Sequence, residues 1–295
     1  LSSISSTTSL TPVSASPDRY TALRGHLRRN PLMIAGALMV VAWVLIALVA
    51  PMIAPYDPYM QNVRNRLQPP SELHPFGTDE LGRDVFTRVL YGARTTLPSG
   101  FLVIFFGTII GTLIGAVSGY IGGWIDEAIM RLTELFMAFP TIILAMAISA
   151  ALGPDIRNAV LALVIVWWPS YARLVRGLVL EIKGKEFVEG ARSVGATNAY
   201  ILFRTVLPNC IAPAIVLGTL DVGTAILTFA GLSFLGLGPE PSSPDWGRMV
   251  SIGIDFFSQW WMWLFPGAGI AIVVMGANFV GDGLRDFLDP RMRKG

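Results

Sequence analysis

Cysteine is nearly absent from this sequence: Cys210 is the single one in 295 residues, so no internal disulfide can form and no CxxC or Cys/His cluster offers a metal site. Histidine is almost as scarce. His26 and His74 are the only two, and neither HExxH nor GxSxG is present to make a hydrolytic centre. The sequence also lacks GxxxxGK[ST], the loop whose backbone N–H groups would hold ATP phosphates, so the chain cannot itself use ATP in the usual way. Charge is thin as well: 14% of residues are charged, where a soluble domain carries about a quarter. The net charge is only +2 and the basic residues do not gather in one stretch, which argues against a nucleic-acid partner. Residues 1–16 are Ser/Thr-rich with no Lys, Arg or apolar core; they lack both parts of a secretory signal and read as a disordered tail.

What is abundant is apolar sequence, 53% of the chain. The hydrocarbon layer is about 30 Å thick and a helix rises about 1.5 Å per residue, so a span needs roughly 20 mostly apolar residues. Six segments qualify: 31–56, 95–125, 135–154, 158–172, 210–237 and 256–281. The fourth is short unless it extends through Arg173 and Arg176, with those side chains reaching the water interface. The expected fold is therefore an all-α integral membrane protein of six transmembrane helices. An even count places both termini on one side, and most of the 22 Lys and Arg fall on that side, which makes it the cytoplasm. The chain divides into a tail 1–30, a spanning region 31–283 with an outer loop 57–94 and a cytoplasmic loop 183–207, and a tail 284–295. Trp260, Trp261 and Trp263, at the outer entry to the sixth span, either anchor at the headgroups or pack in the core.

Gly107, Gly111, Gly115 and Gly119 recur every fourth residue, a spacing that lines one helix face and admits a second backbone at close range. Pro140, Pro169, Pro213 and Pro266 lie in or near spans, where each frees a carbonyl that protein or water must satisfy. Asp221 is the one acid well inside a span. At that depth a carboxylate either faces a wet path or pairs with an Arg or hydroxyl on a neighbouring helix.

The loop KGKEFVEGARSVGATNAYILFRTVLPN, residues 183–209, is too long for a tight turn and rich in helix formers. Residues 185–194 are expected to form a short helix with Phe187, Val188, Ala191 and Val194 on one face. Gly195 is a natural stop, and Thr197 can cap a second helix through Phe203. Pro208 suits the first turn of the fifth span, where its missing N–H costs least.

This loop resembles the EAA loop of binding-protein-dependent ABC importer permeases, whose pattern is Glu-Ala-Ala-x-x-x-Gly followed by Ile-x-Leu-Pro. Glu189, Ala191, Gly195, Leu207 and Pro208 fall in register, while Gly190 and Thr205 depart from it. Three further stretches, FGTDELGRDVFTRVLYGAR (76–94), GLSFLGLGPEPSSPDWGRMV (231–250) and NFVGDGLRDFLDPR (278–291), are similar to the dipeptide and oligopeptide branch, which also includes nickel and glutathione systems. They point to the second of the branch's two paired permeases. The resemblance implies a transport subunit rather than an enzyme, with no cofactor of its own and with ATP and Mg used by partner chains. It further implies a coupling loop built from Glu186, Glu189, Gly190, Ala191, Arg192, Gly195, Ala196, Leu207 and Pro208 that docks on an ATPase subunit. Glu189 would anchor that dock; otherwise it is a solvated helix charge. The implied partners are a second permease, two ATPase subunits, an extracytoplasmic solute-binding protein and the lipid bilayer of a bacterial inner membrane. Gly82, Arg83, Asp84 and Arg88 would form an amphipathic segment resting on the outer membrane surface or meeting one of those partners. Dipeptide or oligopeptide is the expected solute, with nickel or glutathione as alternatives. An ion-gradient-driven secondary transporter is the competing class, for which inverted repeats and several intramembrane ionisable groups are expected; the sequence shows no repeat.

Overall fold

The computed structural model describes residues 30–288. The tail 1–29, with His26 and Arg19, Arg24, Arg28 and Arg29, and residues 289–295 lie outside the described residues. Among those described, every regular element is helical apart from one isolated bridge, Thr78 to Asp84. Helix α1 (Pro31–Ile53) starts on a proline, where no N–H is missed, and carries no charge. It leaves most side chains exposed, as a lipid-facing helix does, and approaches α9 closely: a Cβ on Gly36 would lie 2.6 Å from the Gly276 carbonyl.

Helix α2 (Val85–Ile121) begins with the Asp84 carboxylate accepting from Thr87 N at 2.7 Å. It starts well before residue 95, inside the stretch expected to be outer loop, because that cap and the burial of Val85, Val89 and Ala93 hold ten more residues in the helix. It stops at the Gly122 turn.

The run 135–154 is not one straight helix. Helices α3 (Gly123–Met137) and α4 (Thr141–Leu152) meet at Pro140 at a bend of 93°. Proline cannot donate to the preceding turn and disfavours helix at the residue before it, so the break falls there. Helix α5 (Ile156–Ile182), capped by Asp155 accepting from Arg157 N at 2.7 Å, extends far beyond residue 172 and is the most enclosed of the long helices. Helix α6 (Glu186–Ser193) is short. Helix α7 (Asn198–Phe234) runs without a break from the second half of the loop into the next apolar run, with a π-helical stretch at Ile201–Val206. The expected stop at Phe203 and start at Pro208 are both absent: the π stretch widens the backbone just where Pro208 cannot donate, and the helix passes through. Helix α8 (Trp246–Asp255) is capped by Asp245, and α9 (Trp261–Leu288) closes the bundle. Among the described residues, five helices are long and apolar enough to cross a membrane, or six if the bent α3–α4 pair is one span.

Helices α2, α5 and α7 pack around Val103, Leu163, Tyr171 and Phe229. The loops 54–84 and 235–260 fold together at one end of the bundle. There Arg88, 1% exposed, donates to the carbonyls of Pro58 (2.9 Å), Ser242 and Ser243 (3.2 Å each), while Arg83 pairs with Asp79 (2.6 Å) and Glu80 (2.8 Å). The Asp84 carboxylate both caps α2 and faces the His74 ring at 2.9 Å. The expectation of an amphipathic segment lying on the membrane at Gly82 to Arg88 is therefore corrected. These side chains are buried in a folded latch, since a guanidinium this enclosed needs carbonyls and carboxylates around it. The tryptophan trio also separates: Trp261 is buried and donates to the Thr78 carbonyl at 3.1 Å, whereas Trp260 is exposed and Trp263 stacks on Phe257.

Candidate coupling loop and intramembrane site

The other end of the bundle carries the loop 183–197. Its helix α6 ends in a Schellman motif: Gly195 N–H donates to the Arg192 carbonyl (3.0 Å) and Ala196 N–H to the Ala191 carbonyl (3.1 Å). The motif needs a left-handed residue at its turn, and Gly195 supplies it at φ +81°. The Thr197 hydroxyl then accepts from Tyr200 N at 3.3 Å and opens α7. Two helices are thus joined by a rigid corner.

One side chain fastens that corner to the bundle. Val188 is fully buried among Val175 and Val179 of α5 and Ile201 and Val206 of α7, with Ala191 and Ala196 packed against the same cluster. Lys183 Nζ adds a bond to the Gly119 carbonyl at the end of α2 (2.8 Å), and Tyr120 Oη donates to Asn198 at 3.0 Å. The expected apolar face of α6 is corrected in one respect. Val188 and Ala191 turn inward, but Phe187 (51% exposed) and Val194 (84% exposed), seven residues apart and so on one helical face, point away from the protein. Tyr200 and Phe203 are exposed beside them in sequence. Glu186, Glu189, Gly190, Arg192, Gly195 and Pro208 are exposed too, while Leu207 is buried. Glu189 makes no ion pair among the described residues.

Directly above, the glycine row meets α5. A Cβ on Gly107 would lie 3.3 Å from Trp167 Cβ, but on Gly111 and Gly115 it would run into the backbone carbonyls of Trp168 and Ala172, and on Gly119 it would lie 2.9 Å from the Arg176 carbonyl. Small residues are what allow this approach, in membranes above all. Arg173 is exposed, as expected, and Arg176, half-buried, has a further partner. It grips Asp126 with two bonds, Nε to Oδ1 at 2.9 Å and Nη2 to Oδ2 at 2.6 Å, while Ser118 Oγ donates to Oδ1 at 2.5 Å. This pair ties the start of α3 to α5, and it was invisible in sequence because 50 residues separate its members.

Asp221 lies far from the loop, near the middle of α7. Its Oδ2 accepts from Tyr171 Oη at 2.9 Å and from Trp167 Nε1 at 3.3 Å, both on α5. A neighbouring hydroxyl is thus one partner of its carboxylate. Trp246, which sequence reasoning passed over, is fully buried, donates to the Val89 carbonyl at 2.9 Å and meets Trp43 edge-on at 4.8 Å. Among the described residues no group of three His, Cys, Asp or Glu side chains could hold a metal.

The structure is thus an all-helical bundle with an exposed helical corner at one end. The chain belongs to the family described as binding-protein-dependent transport system inner membrane component, matched over residues 111–294; residues 22–70 match the N-terminal TM domain of oligopeptide transport permease C. Within that family it is 45% identical over 294 residues to the dipeptide transport system permease protein DppC of Alkalihalophilus pseudofirmus, covering 96% of this chain and 97% of that one. It is 41% identical to the probable D,D-dipeptide transport system permease protein DdpC of Escherichia coli K12 (93% and 94% covered) and 42% identical to the glutathione transport system permease protein GsiD of Escherichia coli O6:K15:H31 (91% and 89%). In fold it is similar to a chain of the MetNI methionine ABC transporter in an inward-facing conformation, with a TM-score of 0.54 at 22% identity, over 69% of this chain and 98% of that one.

Proposed function

We propose that this chain forms half of the pathway by which an ATP-driven importer carries dipeptides or short peptides across the bacterial cytoplasmic membrane. Six spans, counting α3–α4 as one bent span, leave both termini in the cytoplasm and put the loop 183–207 there as well. The observation that carries the reading is near full-length similarity to a named dipeptide permease. The Val188-anchored corner supports it with a physical means of coupling. An ATPase subunit can bias a permease only through an interface that differs between its inward-open and outward-open states, and a rigid corner plugged into α2, α5 and α7 transmits displacement of its exposed rim.

In this reading Phe187 and Val194 fill an apolar groove of the ATPase subunit, Glu186, Glu189 and Arg192 set its register, and Gly195 holds the turn. Gly107, Gly111, Gly115 and Gly119 keep α2 against α5 so that the displacement reaches the spans. ATP and Mg are bound by two such ATPase subunits, a homologous second permease completes the pathway, and a solute-binding protein delivers at the latch end. Asp221 faces the pathway. Glutathione, itself a tripeptide with a free amine, is the second reading, favoured by the 42% identical relative. The test is purification of the tagged chain in mild detergent followed by uptake of radiolabelled dipeptide and glutathione by the reconstituted complex. Recovery of a second permease and Walker-motif ATPases with dipeptide uptake supports the proposal; recovery of the chain alone in lipid-preserving conditions contradicts it.

A further inference from the structure

Asp221 sits near the midpoint of the 28-residue stretch Leu207–Phe234, about 20 Å of helix rise from either end. A carboxylate at such depth costs several kcal/mol unless something answers it. The structure answers only half of it. Both described hydrogen bonds end on Oδ2, from Tyr171 and Trp167, which are one helical turn apart on α5; Oδ1 accepts none, and no cation lies within ion-pair distance among the described residues. Tyr171 is fully buried and Trp167 nearly so, so the carboxylate is aimed by groups that cannot themselves move to water. Along the same face of α7, three and seven residues on, come Thr224 and Thr228, with Thr224 exposed in the single chain. The apolar stretch Leu207–Phe234 thus carries a single charge, with two hydroxyls on its face and an oxygen to spare.

We infer that Asp221 is the recognition point for a protonated amine on the permeating solute, the α-ammonium of a short peptide. This rests on the peptide-importer reading above. The chemistry selects an ammonium over a divalent metal ion. Such an ion needs about six oxygen ligands, whereas Asp221 offers one free carboxylate oxygen, Oδ2 being taken by Tyr171 and Trp167, enough for a single N–H donor. Tyr171 is a positioning residue: by holding Oδ2 it leaves Oδ1 free to accept. A single charge-assisted contact also suits passage, because a solute must leave as readily as it arrives.

The test uses the complete importer in proteoliposomes, with Asp221→Asn, Asp221→Glu and Tyr171→Phe, and a free-amine dipeptide beside its N-acetyl analogue. In the wild type without solute-binding protein, the free-amine dipeptide raises the melting temperature of the complex and the N-acetyl analogue does not. Asp221→Asn assembles, loses that shift, and lowers the maximal uptake rate roughly ten- to hundredfold, the range of one charge-assisted hydrogen bond, with the concentration dependence set by the binding protein unchanged. Asp221→Glu retains the preference for the free amine, and Tyr171→Phe weakens it. Wild-type uptake by Asp221→Asn, an equal shift from both peptides, or failure of the Asn and Glu variants alike to assemble overturns the inference while leaving the importer reading intact. Absence of ATP-driven dipeptide uptake by the wild type overturns that reading and this inference with it.

Discussion

The glycine row between α2 and α5 makes a graded prediction. Adding a methyl group at Gly107 brings it to 3.3 Å from Trp167 Cβ, a tight contact that a few tenths of an ångström relieve. Alanine also raises helix propensity by up to about 1 kcal/mol over glycine, so Gly107→Ala is expected within about 1 kcal/mol of wild type. At Gly115 the same methyl meets the Ala172 carbonyl oxygen, with Ala172 C and Cα both at 2.9 Å. Backbone cannot rotate away, so the two helices must part, and α2–α5 contacts on both sides of the row open with them. Overpacking of this kind costs about 1–3 kcal/mol, leaving Gly115→Ala a net loss of up to about 2 kcal/mol after the propensity gain. Gly111→Ala should resemble Gly115→Ala, Gly119→Ala should fall between, and Gly115→Leu should lose more than about 3 kcal/mol. Unfolding in mixed micelles titrated with SDS measures the series. Equal losses at Gly107 and Gly115, or a Gly115→Leu variant as stable as wild type, would refute the claim that backbone contact across this face sets the packing.

Other consequences are as specific. Arg88→Lys keeps the charge but cannot fork to the carbonyls of Pro58, Ser242 and Ser243; a loss of about 2–4 kcal/mol and faster proteolysis within 54–84 are expected. Gly190→Ala, where a Cβ meets nothing within 4 Å, should stabilise α6 by up to about 1 kcal/mol and leave ATP-driven uptake unchanged. Gly195→Val forces a β-branched residue to φ +81° and should leave the chain inserted but poorly coupled, read as uptake per ATP hydrolysed. Burial holds the Asp245 carboxyl above its ordinary value of 3.8, so the folded state binds its proton more tightly than the unfolded chain. Its contribution to stability is full at low pH and is lost as pH rises through the raised folded value. Melting curves between about pH 4 and pH 7 should therefore show wild type losing stability relative to Asp245→Asn as pH rises; a constant difference would contradict this.

Much of the fold was legible because apolar length and glycine spacing are local signals. The runs around α1, α2 and α9, the turn at Gly122, the Gly195 corner and the Thr197 cap all follow from a few adjacent residues. What was hidden depends on partners distant in sequence. Arg176 reads as a snorkelling end until Asp126 is brought beside it, and Arg88 reads as a surface charge until residues 242 and 243 fold over it. The face of α6 was misread because its four apolar residues spread over an arc of about 120°, and only the cluster around Val188 decides which two turn in. The bend at Pro140 was written in the sequence as a proline, but whether a proline kinks a helix or ends it depends on the packing around it: Pro169 lies inside α5 and Pro213 inside α7, with both helices continuous.

The central claim, an importer subunit driven through the 183–207 corner, is tested most directly by reconstituting the complex with its solute-binding protein and measuring labelled dipeptide uptake while ATP and ion gradients are varied independently. The account predicts uptake that requires ATP, persists when ionophores collapse every gradient, and falls to background when Phe187 and Val194 are both replaced by aspartate although the chain remains inserted. Uptake that survives ATP depletion and collapses with an ion gradient, or that is unaffected by those two replacements, would contradict it.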